Sequence, residues 1–229
     1  MGFFVSVKYG MIKIRHNSER GCRTPKNLPL LTSYRSFSFE DYQDPNYLSW
    51  GPIKTINDDR AQPNFVTLWH EHKHLDILSY VIKGQVYHKD NLGNELVARP
   101  GQVQHMWCGD SIWHSEANPS TEPNRYLQIW IMYEQQDTPA DMTPKYQLVD
   151  RSTTFAPLPI KYANPNVVVY AGIMEDNVIN EGRAYLLVLE GSCMINGELL
   201  EEGASAELYE ETLIKRIGDT HIILFEITS

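Results

Sequence analysis

Hydrophobic and polar positions alternate along much of this chain in short runs that Gly, Pro and Asn turn signals interrupt. Alternation with a period of two directs successive side chains to opposite faces of a β-strand. Many short strands separated by such turns are typical of a β-sandwich or a barrel, so the pattern predicts an all-β protein. The predicted strands are Met11–Arg15, Ile53–Asn57, Phe65–His72, Ile77–His88, Glu95–Arg99, Gln102–Met106, Ser111–Glu116, Tyr126–Tyr133, Val167–Ile173, Tyr185–Leu189, Cys193–Ile195, Ala204–Leu208, Leu213–Arg216 and Ile222–Ile227.

A polar stretch that contains few apolar residues, Glu134–Pro139, interrupts the strand pattern and is predicted to be a linker. The order of features repeats loosely on its two sides, since Val81–Val86 is echoed by Leu187–Ser192. We therefore predict two copies of one fold, an N-terminal domain over residues 1–135 and a C-terminal domain over residues 136–229.

Composition and charge limit the possible functions. The chain has 229 residues, of which 42% are hydrophobic, and its 20 Lys and Arg against 29 Asp and Glu give a net charge of -9. A broad basic face for nucleic acid is therefore not expected, because binding to the phosphate backbone depends on Lys and Arg. No apolar run reaches the length of a membrane span, so no membrane partner is expected either.

The cysteines and the start of the chain bear on its cellular location. The three cysteines, Cys22, Cys108 and Cys193, are far apart and form no CxxC pair, which favours free thiols in a reducing compartment. Since no sorting signal is evident, we predict a cytoplasmic protein. Residues 11–21 resemble a natural beginning, so residues 1–10 are interpreted as a non-native or flexible extension.

Two short motifs carry the candidate chemistry: His70-Glu71-His72 and His114-Ser115-Glu116. Residues at i and i+2 share one face of a strand. Two facing strands of a barrel could therefore place three imidazoles and one carboxylate around one point. Such a set is typical of a first-row transition metal with coordination positions left open, and iron, nickel, cobalt, copper, manganese and zinc all suit it. Glu116 could also take a proton from a bound substrate hydroxyl.

Four further features near the motifs or elsewhere in the chain have their own interpretations. His74 could be a spare ligand, a group that supports the ligands or a solvated side chain. Asp76 could orient a ligand histidine, act as a fifth ligand or face solvent in a turn. Asp58-Asp59-Arg60 is predicted to end a strand in a turn with surface ion pairs. His221, the one histidine of the second copy, is expected to be structural, so the second domain is predicted to be metal-free.

The motifs resemble those of the pirins, two-domain members of the cupin superfamily. HEHKHLDILSYVIKGQVYHKDNLGN (residues 70–94) resembles the pirin version of the first cupin motif, and RPGQVQHMWCGDSIWHSE (residues 99–116) resembles the second. SFSFEDYQDPN (residues 36–46) and INDDR (residues 56–60) are also similar to this family. The resemblance covers residues 11 to about 135 and implies two tandem cupin domains, jelly-roll β-sandwiches, with metal in the first. Glu71 and His74 depart from the residues that many pirins have at these positions.

The resemblance implies both a ligand set and an activity. Pirin ligands fall on His70, His72, His114 and Glu116, with iron(II) as the default metal. Bacterial pirins are similar to quercetinases, which implies a metal-dependent dioxygenase that opens flavonol-like substrates with O2, with Glu116 accepting the hydroxyl proton. Eukaryotic pirins suggest a different class, a metal-binding, redox-sensitive regulator that acts through a protein partner. A metal-binding domain without turnover is a third possibility.

Overall fold

Nearly all the regular structure in this computed structural model is β-strand, which confirms the all-β prediction. The structure describes residues 11–133, 141–150 and 154–228, so the predicted extension at residues 1–10 lies outside it. A single 3-10 turn at Asn17–Glu19 is the one helical element of the described residues. The strands are β1 (Ile12–Arg15), β2 (Gly21–Arg23), β3 (Leu31–Arg35), β4 (Ile53–Ala61), β5 (His70–His72), β6 (Leu75–Lys83), β7 (Val86–Asp90), β8 (Glu95–Ala98), β9 (Gln102–Trp107), β10 (Ile112–Ala117), β11 (Arg125–Met132), β12 (Lys145–Asp150), β13 (Ala156–Pro157), β14 (Val167–Ile173), β15 (Val178–Asn180), β16 (Ala184–Ile195), β17 (Glu198–Glu201), β18 (Ser205–Leu208) and β19 (Thr212–Ile227).

The chain divides into two compact units, and neither is one continuous stretch of sequence. Among the described residues, the N-terminal unit comprises 20–133, 141–150 and 158–167. The C-terminal unit comprises 11–19, 154–157 and 168–228. The boundary between domains at residue 135 stays a prediction.

The N-terminal unit contains two antiparallel sheets. One has seven strands in the order β12-β9-β6-β11-β4-β3-β2, and the other has four in the order β5-β10-β7-β8. Val81 of β6 packs in one cluster with Val86 of β7 and Ala98 of β8, so the core lies between the two sheets. β6 is buried along almost its whole length, which explains its nearly continuous apolar run.

The C-terminal unit contains a single sheet of eight strands built around β16 and β19. Its main path runs β1-β18-β16-β19-β14-β13, while β15 pairs with β19 and β17 with β16. Each of the two long strands was predicted as two shorter ones. β16 and β19 stay paired across the gaps between the shorter predicted strands. The register of this pairing shifts between Val188 and Glu190 and again between Glu190 and Ser192. Such a β-bulge bends a strand without ending it.

The prediction that Asp58-Asp59-Arg60 forms a surface turn is wrong. These residues lie inside β4, which extends to Ala61. Asp58 is 1% exposed and accepts hydrogen bonds from Arg125 Nε at 2.8 Å and from Arg20 Nη2 at 3.4 Å. Partners far away in the sequence satisfy this acid, so its charge does not require exposure.

Candidate metal centre

Strands β5, β10 and β7 lie side by side in the four-stranded sheet and build the candidate centre. The antiparallel register of β5 and β10 places His114 opposite His70 and Ile112 opposite His72. Since alternate residues share a face, the three histidines project to the same side. The spacing within each motif and the pairing of the two strands together bring the two motifs to one place.

The rings of His70, His72 and His114 pack against one another. Their centroids are 4.8 Å apart for His70 and His72, 4.4 Å for His70 and His114, and 5.0 Å for His72 and His114. One nitrogen of each ring lies within 4.8 Å of the corresponding nitrogens of the other two. His72 and His114 are buried, and His70 is partly exposed. This is the donor arrangement that one small cation can share.

The protonation of these imidazoles suits ligation. His70 Nδ1 lies 2.8 Å from the carbonyl oxygen of Leu68, so Nδ1 carries the proton and Nε2 keeps a free lone pair. His72 Nε2 and both ring nitrogens of His114 are buried without a hydrogen-bond partner. Burial, with the nearby His70, lowers the pKa of His72 to about 4. Burial and the neighbouring histidines also lower the pKa of His114 far below its usual value. Both rings are therefore neutral at pH 7.

Glu116 lies beside His114 on the same face of β10, and its carboxyl is enclosed by polar side chains. Its Oε1 accepts hydrogen bonds from Ser79 Oγ at 2.9 Å and from Gln104 Nε2 at 2.7 Å. Its Oε2 accepts one from Gln128 Nε2 at 3.0 Å. Burial raises the pKa of Glu116 to about 7, against the opposing effect of these three hydrogen bonds. The carboxyl thus changes protonation easily near neutral pH.

The structure therefore brings the four predicted residues to one region in two overlapping groups. His70, His72 and His114 form one group, while Glu116 forms the other with His114 and His88. His70, His72 and Glu116 also line the same cavity. The assignment of these four as metal ligands stays a prediction.

His88 is a component of the site that the sequence analysis missed. It lies opposite Glu116 in the pairing of β7 with β10, and its ring centroid is 5.4 Å from that of His114. His88 Nε2 lies 2.9 Å from Asp90 Oδ2, while Nδ1 is buried without a partner. The signal was present, because His88-Lys89-Asp90 is another i, i+2 pair. The predicted strand Ile77–His88 ends at this histidine, whereas β7 continues to Asp90 and so places the pair on one strand.

The open alternatives for the neighbouring residues are resolved by position. His74 is exposed and has a φ of 55°, so it follows the end of β5 and leaves the row of histidines. Asp76 is fully buried on β6 and accepts a hydrogen bond from His105, which is not one of the clustered histidines. Glu71 points to the outer side of β5, where it accepts a hydrogen bond from Ser111. In the C-terminal unit, His221 lies 3.0 Å from Glu190.

A cavity of about 280 Å³ opens beside the histidines and is lined on one side by polar residues of β3 and β4. Among these, Asn57 Oδ1 and Asp59 Oδ1 are buried without a hydrogen-bond partner. Burial raises the pKa of Asp59 to about 7, and the hydroxyl of Ser33 partly opposes this rise. Trp130 and Phe39, in edge-to-face contact at 5.0 Å, form an apolar part of the lining. We name this space the histidine cavity.

Among the residues that the structure describes, no helix is long and apolar enough to cross a membrane.

Comparison with known proteins gives a consistent family. The family model described as Pirin matches residues 16–131. A quercetin 2,3-dioxygenase of Escherichia coli K12 is 30% identical over 237 aligned positions, which cover 95% of this chain and 99% of the relative. A putative quercetin 2,3-dioxygenase of Zymomonas mobilis is 32% identical, and the alignment covers 85% of this chain and 90% of the relative.

A solved structure supports the same grouping. The bacterial pirin YhhW of Escherichia coli, crystallised in complex with nickel(II), superimposes with a TM-score of 0.85 at 28% identity. The match covers 95% of this chain and 99% of the other. The family model covers half of the sequence, and a relative that is 30% identical aligns over 95% of this chain. The chain therefore belongs to the pirin family.

Proposed function

We propose that this protein is a metal-dependent dioxygenase of the quercetin 2,3-dioxygenase type, which opens flavonol-like substrates with O2. The observation that carries the proposal is the group of three histidines whose nitrogens converge on one point, two of which line the histidine cavity together with Glu116. The relatives named as quercetin 2,3-dioxygenases support the same reaction.

The residues present fit a divalent transition metal. Unpartnered nitrogens in a buried site destabilise a fold unless a ligand satisfies them, and His72 and His114 both carry such nitrogens. His70, His72, His114 and Glu116 would hold the ion, with iron(II) proposed as the native metal. A pirin relative has been crystallised with nickel(II), so nickel is the natural comparison. The bound ion supplies Lewis acidity towards a hydroxyl and keto pair and access to the chemistry of O2.

The proton chemistry of the reaction falls to Glu116. In the metal-free protein burial raises its pKa to about 7, and a bound cation would favour the anion, which is the form that accepts the proton of an enol hydroxyl. Ser79 and Gln104 donate hydrogen bonds to one of its oxygens and Gln128 donates to the other, and these bonds fix the orientation of the carboxyl. Glu116 thus serves as proton acceptor at the oxygen where the substrate binds.

The cavity lining defines the class of substrate. Asn57 and Asp59 offer buried acceptor oxygens that hydroxyl groups on an aromatic ring can satisfy. Phe39 and Trp130 provide apolar surface for the ring and exclude water from it. At about 280 Å³ the cavity lies just below the ~300–1,000 Å³ range of small-ligand sites. A flat, hydroxylated aromatic compound matches this space.

The test is oxygen uptake by the iron(II)-loaded protein with quercetin as the substrate. We expect uptake that requires quercetin, with carbon monoxide released, and a loss of at least ~100-fold in the His114→Ala variant. His74→Ala is the matched control, because His74 is exposed and points away from the cluster. Metal content is measured for all three proteins. Wild-type protein that holds metal and shows no uptake would contradict the proposal.

A second function has one observation in its favour. Several large apolar side chains are exposed on the segment before β5 and on the outer side of β10: Val66, Leu68, Trp69 and Trp113. Exposed apolar side chains of this size are typical of a surface that binds a partner. A metal-binding regulator that acts through a protein partner is therefore the alternative. Metal binding without oxygen uptake, with a partner lost on Leu68→Ser, would favour it.

A further inference from the structure

A second cavity of the N-terminal unit, about 580 Å³ in volume, lies away from the histidine cavity. Among the described residues, the two share no lining residue. Side chains alternate along β9, where Gln104 points to Glu116 and the adjacent His105 points to the opposite face of the sheet. Most of the lining of the second cavity therefore lies on the face of β6, β9 and β12 that is turned away from the candidate metal centre. Tyr146 of β12 is the exception, since it lines this cavity and also stacks on His88 at 4.4 Å.

The acidic groups of this cavity already have partners. Asp76 accepts hydrogen bonds from His105 Nε2 at 2.5 Å and from the backbone N–H of Ala163 at 2.8 Å. His105 Nδ1 in turn faces Gln147 Nε2 at 2.8 Å. Asp141 pairs with Lys145 at 2.7 Å. These groups form a preorganised wall whose hydrogen-bonding capacity is largely filled.

Two groups that can donate hydrogen bonds remain. Tyr162 lines the cavity with only 7% of its surface exposed, and its hydroxyl has no hydrogen-bond partner. Lys161, its neighbour, is exposed and makes no ion pair within the described part of the chain. A buried hydroxyl without a partner destabilises the fold, so it points to a ligand that supplies an acceptor.

The remaining surface is aromatic. Trp107 lines the cavity and is held by a ring contact with Tyr133 at 5.2 Å between centroids. The ring of Tyr162 packs edge-on against that of His105 at 5.9 Å. A flat apolar group can pack between such rings, as is common where a ligand has one apolar and one polar end.

We propose that this second cavity binds a small aromatic carboxylate. The carboxylate accepts a hydrogen bond from the Tyr162 hydroxyl and pairs with the Lys161 ammonium group, and the aromatic ring packs against Trp107. The assignment is independent of the function proposed for the histidine cavity, because it uses different residues on the other face of the sheet.

The test uses benzoate as the probe, titrated by calorimetry into the full-length protein with metal bound and again after chelation. We expect saturable binding with the same dissociation constant in both states, because the cavity is separate from the metal ligands. Tyr162→Phe should weaken binding about five-fold by removing one hydrogen bond. Lys161→Gln should weaken it and reduce its dependence on salt. Lys83→Gln removes an exposed lysine that lines neither cavity and should change nothing.

Three results would overturn the proposal. The first is binding that does not saturate by about 10 mM benzoate, because a specific small-ligand site has a lower dissociation constant than that. The second is binding that disappears on chelation, because the metal would then be the site. The third is binding that Tyr162→Phe and Lys161→Gln both leave unchanged. Thermal unfolding of Tyr162→Phe serves to check that the variant folds. Its midpoint should match that of the wild-type protein, because the hydroxyl that is removed has no partner.

Discussion

At the scale of single residues, the protonation of Glu116 connects stability with chemistry. The carboxyl is buried, which favours the neutral acid, while three side chains donate hydrogen bonds that favour the anion. A cation held by the adjacent histidines would favour the anion further. The same position can therefore keep a proton in the metal-free protein and release it when metal binds.

Replacing Glu116 by Gln is expected to change how the stability of the metal-free protein depends on pH. The folded-state pKa is raised from 4.5 to about 7. The contribution of Glu116 to stability is therefore fully present below pH 4.5, is lost as pH rises to 7, and stays constant above that. The loss is about 3 kcal/mol. Urea unfolding across this range should show this loss in the wild-type protein but not in Glu116→Gln.

The comparison between proteins separates Glu116 from His72, which titrates in the same range. The pKa of Asp59 is raised in part by the charge of Glu116, so its contribution changes together with that of Glu116. Glu198→Gln removes an exposed carboxylate from the C-terminal unit and should keep the wild-type profile. An identical pH profile in wild type and Glu116→Gln would contradict the raised pKa of this carboxyl.

At the scale of strands, alternation predicted the elements that matter most for the site. The i, i+2 motifs were expected on strands, and β5 and β10 place their alternate side chains inward as the pattern requires. The predicted strand at residues 167–173 matches β14 in full. β10 alternates buried positions with half-buried or exposed ones, so its sequence carries the period of two, whereas β14 is recognisable by its uninterrupted apolar run.

The errors at this scale have identifiable physical causes. Asp58 lies buried inside β4 because arginines distant in sequence satisfy it, whereas the adjacent Asp59 keeps an unpaired oxygen and lines the histidine cavity. No local pattern reveals either environment. The divisions predicted within β16 and β19 follow glycines at 191 and 218, both with positive φ. There the glycines mark irregularities within continuous strands, whereas Gly84 marks a true turn between β6 and β7. Local sequence does not separate these two uses of glycine.

Any side chain in place of Gly191, in the bulge of β16, is expected to destabilise the fold. Its φ is 76°, and a Cβ there would lie 2.1 Å from the carbonyl oxygen of Asp219. Gly197 is the matched control, since its φ is 88° but a Cβ would meet nothing within 4 Å. Both Ala variants lose the freedom of glycine, whereas only Gly191→Ala also forces backbone atoms apart. Gly191→Ala should therefore be less stable than Gly197→Ala by about 2 kcal/mol, measured by urea unfolding. Equal losses would show that the bulge relaxes.

At the scale of the whole molecule, the candidate metal site belongs to the N-terminal unit, and the C-terminal unit has a core of its own. Every member of the histidine cluster lies in the N-terminal unit, which has its own core between two sheets. The C-terminal unit has a separate core around β16 and β19. A ligand that binds the folded form of a unit stabilises that unit directly, whereas the other gains only as far as the two unfold together.

Metal addition should therefore protect the two units unequally against hydrogen exchange. With nickel(II) at a free concentration 100 times its dissociation constant, the stabilisation is about 2.7 kcal/mol, and amides that exchange by unfolding of the N-terminal unit should slow about 100-fold. Mass spectrometry should show this in β5, β7 and β10, with little change in β16 and β19. His114→Ala should gain no such protection. Equal slowing in both units would mean that they unfold as one, and no slowing in β10 would remove His114 from the metal site.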